Sequence, residues 1–172
     1  MRHHSRSVVY AALIAAMYAA LTHLQNLLLP GSATWAVQFR VSEALCVLAF
    51  FTPAAIPGLT IGCFLFNLTY GGSLPLDILI GSAATAIACT LMYLTRRFRL
   101  FGVPVFGLTM PALWNALLVG WELSVYIGGG FAINAFYVAL GELAVLLTLG
   151  LLLYTVMRRN GLARRLFRED SD

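Results

Sequence analysis

Residues 76–99 of the chain read LDILIGSAATAIACTLMYLTRRFR. Within residues 76–95 the only charged side chain is Asp77, at the start, and a helix of about 20 apolar residues is long enough to cross the hydrocarbon core of a bilayer. Arg96, Arg97 and Arg99 follow at once. Because arginine accumulates on the cytoplasmic side of membrane proteins, this stretch predicts a transmembrane helix that ends in the cytoplasm.

The remainder of the chain has the same apolar character. Of its 172 residues, 60% are hydrophobic and 10% are charged, and the mean hydropathy is +0.86, which excludes an ordinary soluble domain. We therefore predict an all-α membrane protein, a single domain over residues 1–172 that forms a bundle of six transmembrane helices. The predicted spans are residues 7–29, 41–52, 57–70, 76–95, 104–127 and 134–157, followed by a basic cytoplasmic tail at 158–172.

The second and third segments are short for full spans and are interrupted by proline. Residues 52–57 read TPAAIP, and Pro53 and Pro57 interrupt the hydrogen-bond ladder of a helix. The two segments either cross the membrane completely or form a re-entrant hairpin. Both alternatives return the chain to the outer side near Gly71, so the predicted topology of the later segments is the same.

The net charge of +4 is the difference between eleven arginines and seven acidic residues, and the positions of the arginines exclude a nucleic-acid groove. Ten of them fall into three groups: Arg2 and Arg6; Arg96, Arg97 and Arg99; Arg158, Arg159, Arg164, Arg165 and Arg168. A six-span topology puts all three groups on one side, which predicts a plasma-membrane protein with both termini in the cytoplasm. The first apolar run resembles a signal peptide, but we expect a retained span because the whole chain shares its composition.

Motifs for catalysis, metal binding or ATP hydrolysis are absent from the sequence. No Ser/His/Asp arrangement, H-E-x-x-H motif or phosphate-binding glycine loop occurs. Cys46, Cys63 and Cys89 are too widely spaced for a zinc site and are interpreted as core residues, as is His23. We therefore predict a protein that is not an enzyme and has no metal or cofactor.

Ionisable and amide side chains inside the predicted spans mark the candidate site, because such groups are costly in a membrane unless they are paired or hydrated. They lie in the outer half of the bundle: Arg40, Glu43, Asn67, Asn115, Glu122 and Glu142. A channel or proton relay would need polar groups through the full depth, so this distribution predicts a ligand pocket open to the outside. Asp77 lies in the same layer, but its position at a helix start favours a capping role.

Arg40 is the only basic residue in this outer layer and cannot neutralise Glu43, Glu122 and Glu142 together. At least one carboxylate is therefore protonated, hydrated or paired with a ligand that is cationic or rich in N–H donors. Arg40 and Glu43 lie three residues apart on one helical face, and a local ion pair between them is an equal alternative to ligand binding.

Aromatic residues occupy the same layer, with Phe39, Trp121 and Tyr137 as candidate ligand contacts and Trp35 and Trp114 beside them. Aromatic walls suit a flat heterocycle, whereas an interfacial aromatic belt would need no ligand.

The first span carries two adjacent stripes of small residues at four-residue spacing: Ala11 and Ala15, and Ala12 and Ala16. Such a stripe lets another helix approach closely, either within the bundle or from a partner protein.

Several motifs resemble the queuosine-precursor transporter (QueT-like) family. They are VQFRVSEAL at residues 37–45, FFTPAAIPGL at 50–59, IGC at 61–63, NAL at 115–117, GWEL at 120–123 and YVALGEL at 137–143. The resemblance covers most of the chain, and the motif at residues 37–45 is its most specific part.

Members of that family are S-components of energy-coupling-factor (ECF) transporters. In these, a six-helix bundle captures the substrate outside, and a coupling transmembrane protein with two ATPase subunits drives uptake.

The resemblance implies a 7-deazaguanine substrate such as queuine, queuosine or an earlier precursor. One of Glu43, Glu122 or Glu142 would then accept the N–H donors of the guanine-like edge, and another could hold an ammonium group. It also implies that an alanine stripe on the first helix docks on the coupling protein. The alternatives are an S-component for another vitamin or purine-like base, and a membrane scaffold subunit without transport function.

Overall fold

The computed structural model describes residues 2–32, 38–71 and 73–167, and these residues form helices with no β-strand beyond an isolated bridge between Leu100 and Val103. The elements are α1 (Arg2–Leu28), a 3₁₀ helix (Val41–Phe50), α2 (Ala55–Thr69), α3 (Asp77–Thr95), α4 (Val105–Leu108), α5 (Met110–Tyr126), α6 (Phe131–Val145), a π-helical segment (Leu146–Gly150), α7 (Leu151–Arg159) and α8 (Leu162–Leu166). The predicted all-α class is confirmed.

Three helical stretches of the described chain are long and apolar enough to cross a membrane: Ser5–Leu28, Asp77–Thr95 and Phe131–Arg159. The 3₁₀ helix and α2 are also apolar but shorter. The protein is thus a helical membrane protein, and α3 coincides with the apolar run that precedes the arginines at residues 96–99.

The 3₁₀ helix is the central element of the bundle. Nine of its ten residues are buried, and α1, α2, α3, α6 and α7 pack around it. Runs of 3₁₀ helix longer than about four residues are uncommon because their hydrogen-bond geometry is poor, so packing from all sides must stabilise this one. Pro53 lies in the turn that follows it, and Pro57 lies in the first turn of α2, where its missing N–H is not needed.

Two helices pack closely through small residues. A Cβ atom on Gly58 would lie 2.7 Å from the carbonyl oxygen of Ala11, and one on Gly62 would lie 2.8 Å from that of Ala15. The stripe formed by Ala11 and Ala15 is therefore used inside the bundle, between α1 and α2. Ala16, one residue further on, is exposed.

The last two predicted segments contain irregularities that hydropathy does not reveal. Residues 104–127 form two helices, because the chain breaks at Thr109 between α4 and α5. The sixth segment is one continuous helical stretch, but Leu146–Gly150 is wound as a π-helix. Such single π-helical turns are frequent at functional sites.

The main apolar core surrounds the C-terminal part of the 3₁₀ helix, residues 45–50, and includes Leu59, Met92, Leu108 and Tyr154. The N-terminal end of the same helix carries Arg40 and Glu43, which are also buried. One end of the bundle interior is therefore apolar and the other is polar.

Candidate ligand-binding site

The polar end of the interior contains an unbalanced set of charges. The buried charged side chains of the described residues are Arg40, Glu43, Asp77, Glu122 and Glu142. Removing an ionised group from water is costly unless a partner of opposite charge compensates it. One guanidinium cannot compensate four carboxylates, so the set requires protons, water or a ligand.

A polar face of α1 holds the segment that carries Arg40. The Gln25 side-chain amide donates hydrogen bonds to the Phe39 carbonyl and to the Ser32 hydroxyl, and its oxygen accepts one from the Val41 N–H at 2.8 Å. One turn earlier, the Thr22 hydroxyl donates to Ser42 Oγ at 2.6 Å. These bonds anchor the chain on both sides of Arg40.

Gly141 on α6 supports the same segment from the opposite side. A Cβ atom at this position would lie 2.3 Å from the Gln38 carbonyl oxygen, a distance that no side chain could accommodate. The extended chain at residues 38–40 can therefore lie directly on α6 only because residue 141 is glycine. α6 also carries Glu142, so this contact brings Arg40 and Glu142 into one region.

Glu43 is engaged by the protein itself. The Tyr18 hydroxyl donates a hydrogen bond to Oε1, and the Cys46 thiol donates one to Oε2 over 3.1 Å. Both oxygens thus have partners, on α1 and on the 3₁₀ helix. The role of Glu43 in ligand binding stays a prediction, and its observed contacts are those of a residue that fastens two helices.

Arg40 lies between α2 and the carboxylates. Its Nη1 atom donates to Cys63 Sγ at 3.7 Å, and its guanidinium carbon lies 5.9 Å from the centre of the Phe66 ring. It also interacts electrostatically with Asp77 and Glu43. The buried cation is therefore shared among several acidic groups.

Glu142 and Asn115 form a pair across α5 and α6. The Asn115 amide nitrogen donates a hydrogen bond of 3.3 Å to Glu142 Oε1. The other Glu142 oxygen and the Asn115 carbonyl oxygen are buried without a hydrogen-bond partner. Each residue of the pair thus keeps one acceptor atom without a partner.

Glu122 and Asp77 form a second acidic group, between α5 and α3. Glu122 is 0% exposed, and neither of its carboxylate oxygens has a hydrogen-bond partner. Asp77 is 3% exposed; its Oδ2 accepts the Leu74 N–H at 3.1 Å, and its Oδ1 has no partner. Asp77 was predicted to cap α3, but it bonds an N–H that precedes the helix, and it lies close enough to Glu122 for the two carboxylates to repel each other.

Asn67 connects α2 to this region. Its amide nitrogen donates to the Asp77 carbonyl at 2.8 Å, and its side-chain oxygen is buried without a partner. Besides Asn26 on α1, whose side-chain oxygen is also buried without a partner, unsatisfied acceptors come from four further helices: Asn67 on α2, Asp77 on α3, Asn115 and Glu122 on α5, and Glu142 on α6. Because buried polar atoms in folded proteins nearly always have a partner, these acceptors indicate a site for N–H donors from water or a ligand.

The aromatic candidates lie at the surface of the bundle, whereas the acidic and amide residues are buried. Phe39, Trp121 and Tyr137 are 45%, 49% and 38% exposed. Exposed aromatic side chains on a membrane bundle are typical of an interfacial belt, so a ligand-binding role for these three stays a prediction. Trp114 is partly buried, and its indole N–H is buried without an acceptor. Trp35 and Val37 lie outside the described residues.

Comparison with protein families gives a match over most of the chain. The profile of the QueT transporter family matches residues 8–159, most of the chain and all of its long helices apart from the first turns of α1. The chain belongs to the QueT transporter family. No curated protein and no solved structure matches it.

Membership of the QueT transporter family identifies a membrane transport protein that handles a small molecule rather than an enzyme. The buried acceptors described above lie within the matched region. The polar end of this QueT bundle is therefore the candidate site for its substrate.

Sequence reasoning missed three residues of this polar end: Tyr18, Thr22 and Gln25. All three contact the segment at residues 38–43 from one face of α1. Their spacing of four and three residues was a visible signal, because polar side chains at this spacing share one face of an otherwise apolar helix. The sequence placed Asp77 in the same layer, but its proximity to Glu122 was not predicted, because the two residues are distant in sequence.

Proposed function

We propose that this QueT-family chain is the substrate-binding S-component of an ECF-type importer and captures a 7-deazaguanine, such as queuine or queuosine, from outside the cell. The observation that carries the proposal is the group of unsatisfied buried acceptors on Asn67, Asp77, Asn115, Glu122 and Glu142. A guanine-like ring edge presents several N–H donors, and pairs of carboxylate and amide oxygens accept such donors well.

The proposal includes the membrane topology. Six transmembrane segments with both termini in the cytoplasm would place the arginines that follow α3 and those that end α7 on the same side. The acceptors would then lie toward the outer surface of the plasma membrane, where substrate arrives.

The proposal also includes a docking surface for the coupling transmembrane protein, which would act with two ATPase subunits. A groove of about 600 Å³ runs along α1 and α2 and is lined almost entirely by apolar side chains, among them Ala12, Ala16 and Ile61. Because Ala11 and Ala15 already pack on α2, the exposed stripe of Ala12 and Ala16 is the better candidate for contact with a helix of the partner.

A ligand screen on the detergent-purified protein tests the proposal. Queuine and its precursors should raise the unfolding temperature, and guanine should raise it much less, because at equal concentration a ligand that binds the folded state more tightly stabilises it more. Equal stabilisation by guanine would favour an S-component for purine-like bases. No stabilisation by any of these compounds would favour a scaffold subunit.

A further inference from the structure

Glu122 and Asp77 present three carboxylate oxygens without hydrogen-bond partners in one small region: both oxygens of Glu122 and Oδ1 of Asp77. Both side chains are almost completely removed from the surface. Neither side chain has a hydrogen-bond donor on both of its oxygens, whereas Glu43 accepts hydrogen bonds from Tyr18 and Cys46. No donor from another described residue reaches these three oxygens, and the two carboxyl groups are close enough to hydrogen-bond to each other when one of them is protonated.

The charges of this pair restrict the class of donor. The two carboxylates repel each other, and Arg40 attracts Glu122 but is also drawn to Glu43 and Glu142. A neutral N–H donor would leave most of the negative charge uncompensated. A donor that itself carries a positive charge would supply hydrogen bonds and compensation together.

The number of unsatisfied oxygens in the pair favours an organic cation. An alkylammonium group offers two or three N–H donors, which matches three unsatisfied oxygens. Metal ions are usually held by more protein ligands, and no group of three or more His, Cys, Asp or Glu side chains suited to a metal occurs in the described part of the chain. We propose that Asp77 and Glu122 form a subsite for the protonated amine of the substrate.

The Asn115–Glu142 pair would occupy the other end of the ligand. Asn115 lies seven residues before Glu122 on α5, about 10 Å along the helix axis at a rise of 1.5 Å per residue. The unsatisfied oxygens of Asn115 and Glu142 match the neutral N–H edge of a heterocycle. A substrate with an N–H-rich ring edge at one end and an amine at the other would engage both pairs, and in this respect the inference rests on the proposed function.

Specificity for the amine follows from this arrangement. A 7-deazaguanine with an aminomethyl group should bind more tightly than the same ring with an uncharged nitrile. Because hydrogen bonds to charged groups are stronger than neutral ones, we expect the ratio of the two affinities to be about 10- to 100-fold.

The test is a calorimetric titration of the full-length protein in detergent with 7-aminomethyl- and 7-cyano-7-deazaguanine. In Glu122→Gln and in Asp77→Asn, we expect the preference for the amine to fall to near unity, because the amine compound loses much more affinity than the nitrile compound. Glu142→Gln is the matched comparison, because it should weaken both ligands by similar factors and leave their ratio unchanged. Circular dichroism would establish that each variant is folded.

The outcomes separate the two proposals. Equal binding of both ligands by the unmodified protein, or an unchanged ratio in both Glu122→Gln and Asp77→Asn, would overturn the amine subsite and leave the proposed function standing. No binding of either ligand would overturn the subsite, and if queuine also failed to bind, the proposed function would be overturned with it. Stabilisation by sodium ions alone that disappears in Glu122→Gln would overturn the subsite in favour of a metal ion.

Discussion

The Asn115 side chain donates a 3.3 Å hydrogen bond to the Glu142 carboxylate, although the two residues are 27 positions apart. The bond joins α5 to α6 and uses only one oxygen of the carboxylate, so the other is left for a donor from outside the chain. The bundle thus orients an acidic group in its interior without neutralising it.

Replacing Glu142 with Gln should weaken binding of queuine by about 10- to 100-fold, because an amide oxygen accepts hydrogen bonds less strongly than a carboxylate. The bundle should remain folded, since Gln keeps the shape and can still accept the Asn115 bond. Calorimetric titration measures the change. Unaltered affinity would remove Glu142 from the ligand site.

Replacing Tyr18 with Phe should lower the stability of the bundle. The hydroxyl is a hydrogen-bond donor to Glu43, and its loss would leave a buried carboxylate oxygen unsatisfied, at a cost of about 1–3 kcal/mol. Thermal unfolding in detergent measures the effect, with Tyr126→Phe as the control because Tyr126 is half-exposed. An equal unfolding temperature for the two variants would show that the Tyr18 bond contributes nothing.

Replacing Gln25 with Ala should reduce ligand affinity more than a change on the lipid-facing side of α1. Gln25 bonds to the backbone on both sides of Arg40, so its loss would release the segment that positions the buried guanidinium. Titration of Gln25→Ala against Leu24→Ala, which removes an exposed side chain, isolates this effect. Equal affinities would mean that the packing on Gly141 is sufficient to hold the segment.

The alanine stripes allow the same substitution to be compared at adjacent positions. Ala15→Trp should prevent folding, because Ala15 lies directly against Gly62. Ala16→Trp should fold and bind ligand normally but block uptake by the assembled transporter, because Ala16 is exposed in the groove. Uptake in whole cells and binding by purified protein provide the two measurements. Normal uptake by Ala16→Trp would exclude docking through this stripe.

Trp121→Ala distinguishes an aromatic belt from a ligand wall. Since Trp121 is about half exposed while its neighbour Glu122 is fully buried, we expect ligand affinity to change less than twofold (about 0.4 kcal/mol). A loss of tenfold or more in a titration would place the indole against the ligand.

The all-helical membrane class and the positions of the helices along the chain could be predicted from contiguous stretches of the sequence. α3 occupies the apolar run at residues 76–95 because a backbone in hydrocarbon must satisfy its own hydrogen bonds, and the arginines that follow mark where the apolar run stops. The acidic and amide residues of the candidate site were also visible, because such side chains stand out in an apolar sequence.

Which of those side chains lie next to each other in the folded bundle could not be predicted from the sequence. In a soluble protein, the hydrophobic periodicity of an amphipathic helix shows which of its faces is buried. A helix that is apolar on all sides has no such periodicity. Which faces meet is decided by close contacts such as Ala11 on Gly58, which set the rotation of each helix about its axis. In the resulting arrangement, Tyr18 hydrogen-bonds to Glu43 and Asp77 lies beside Glu122. Ala16 rather than Ala15 lies on the surface.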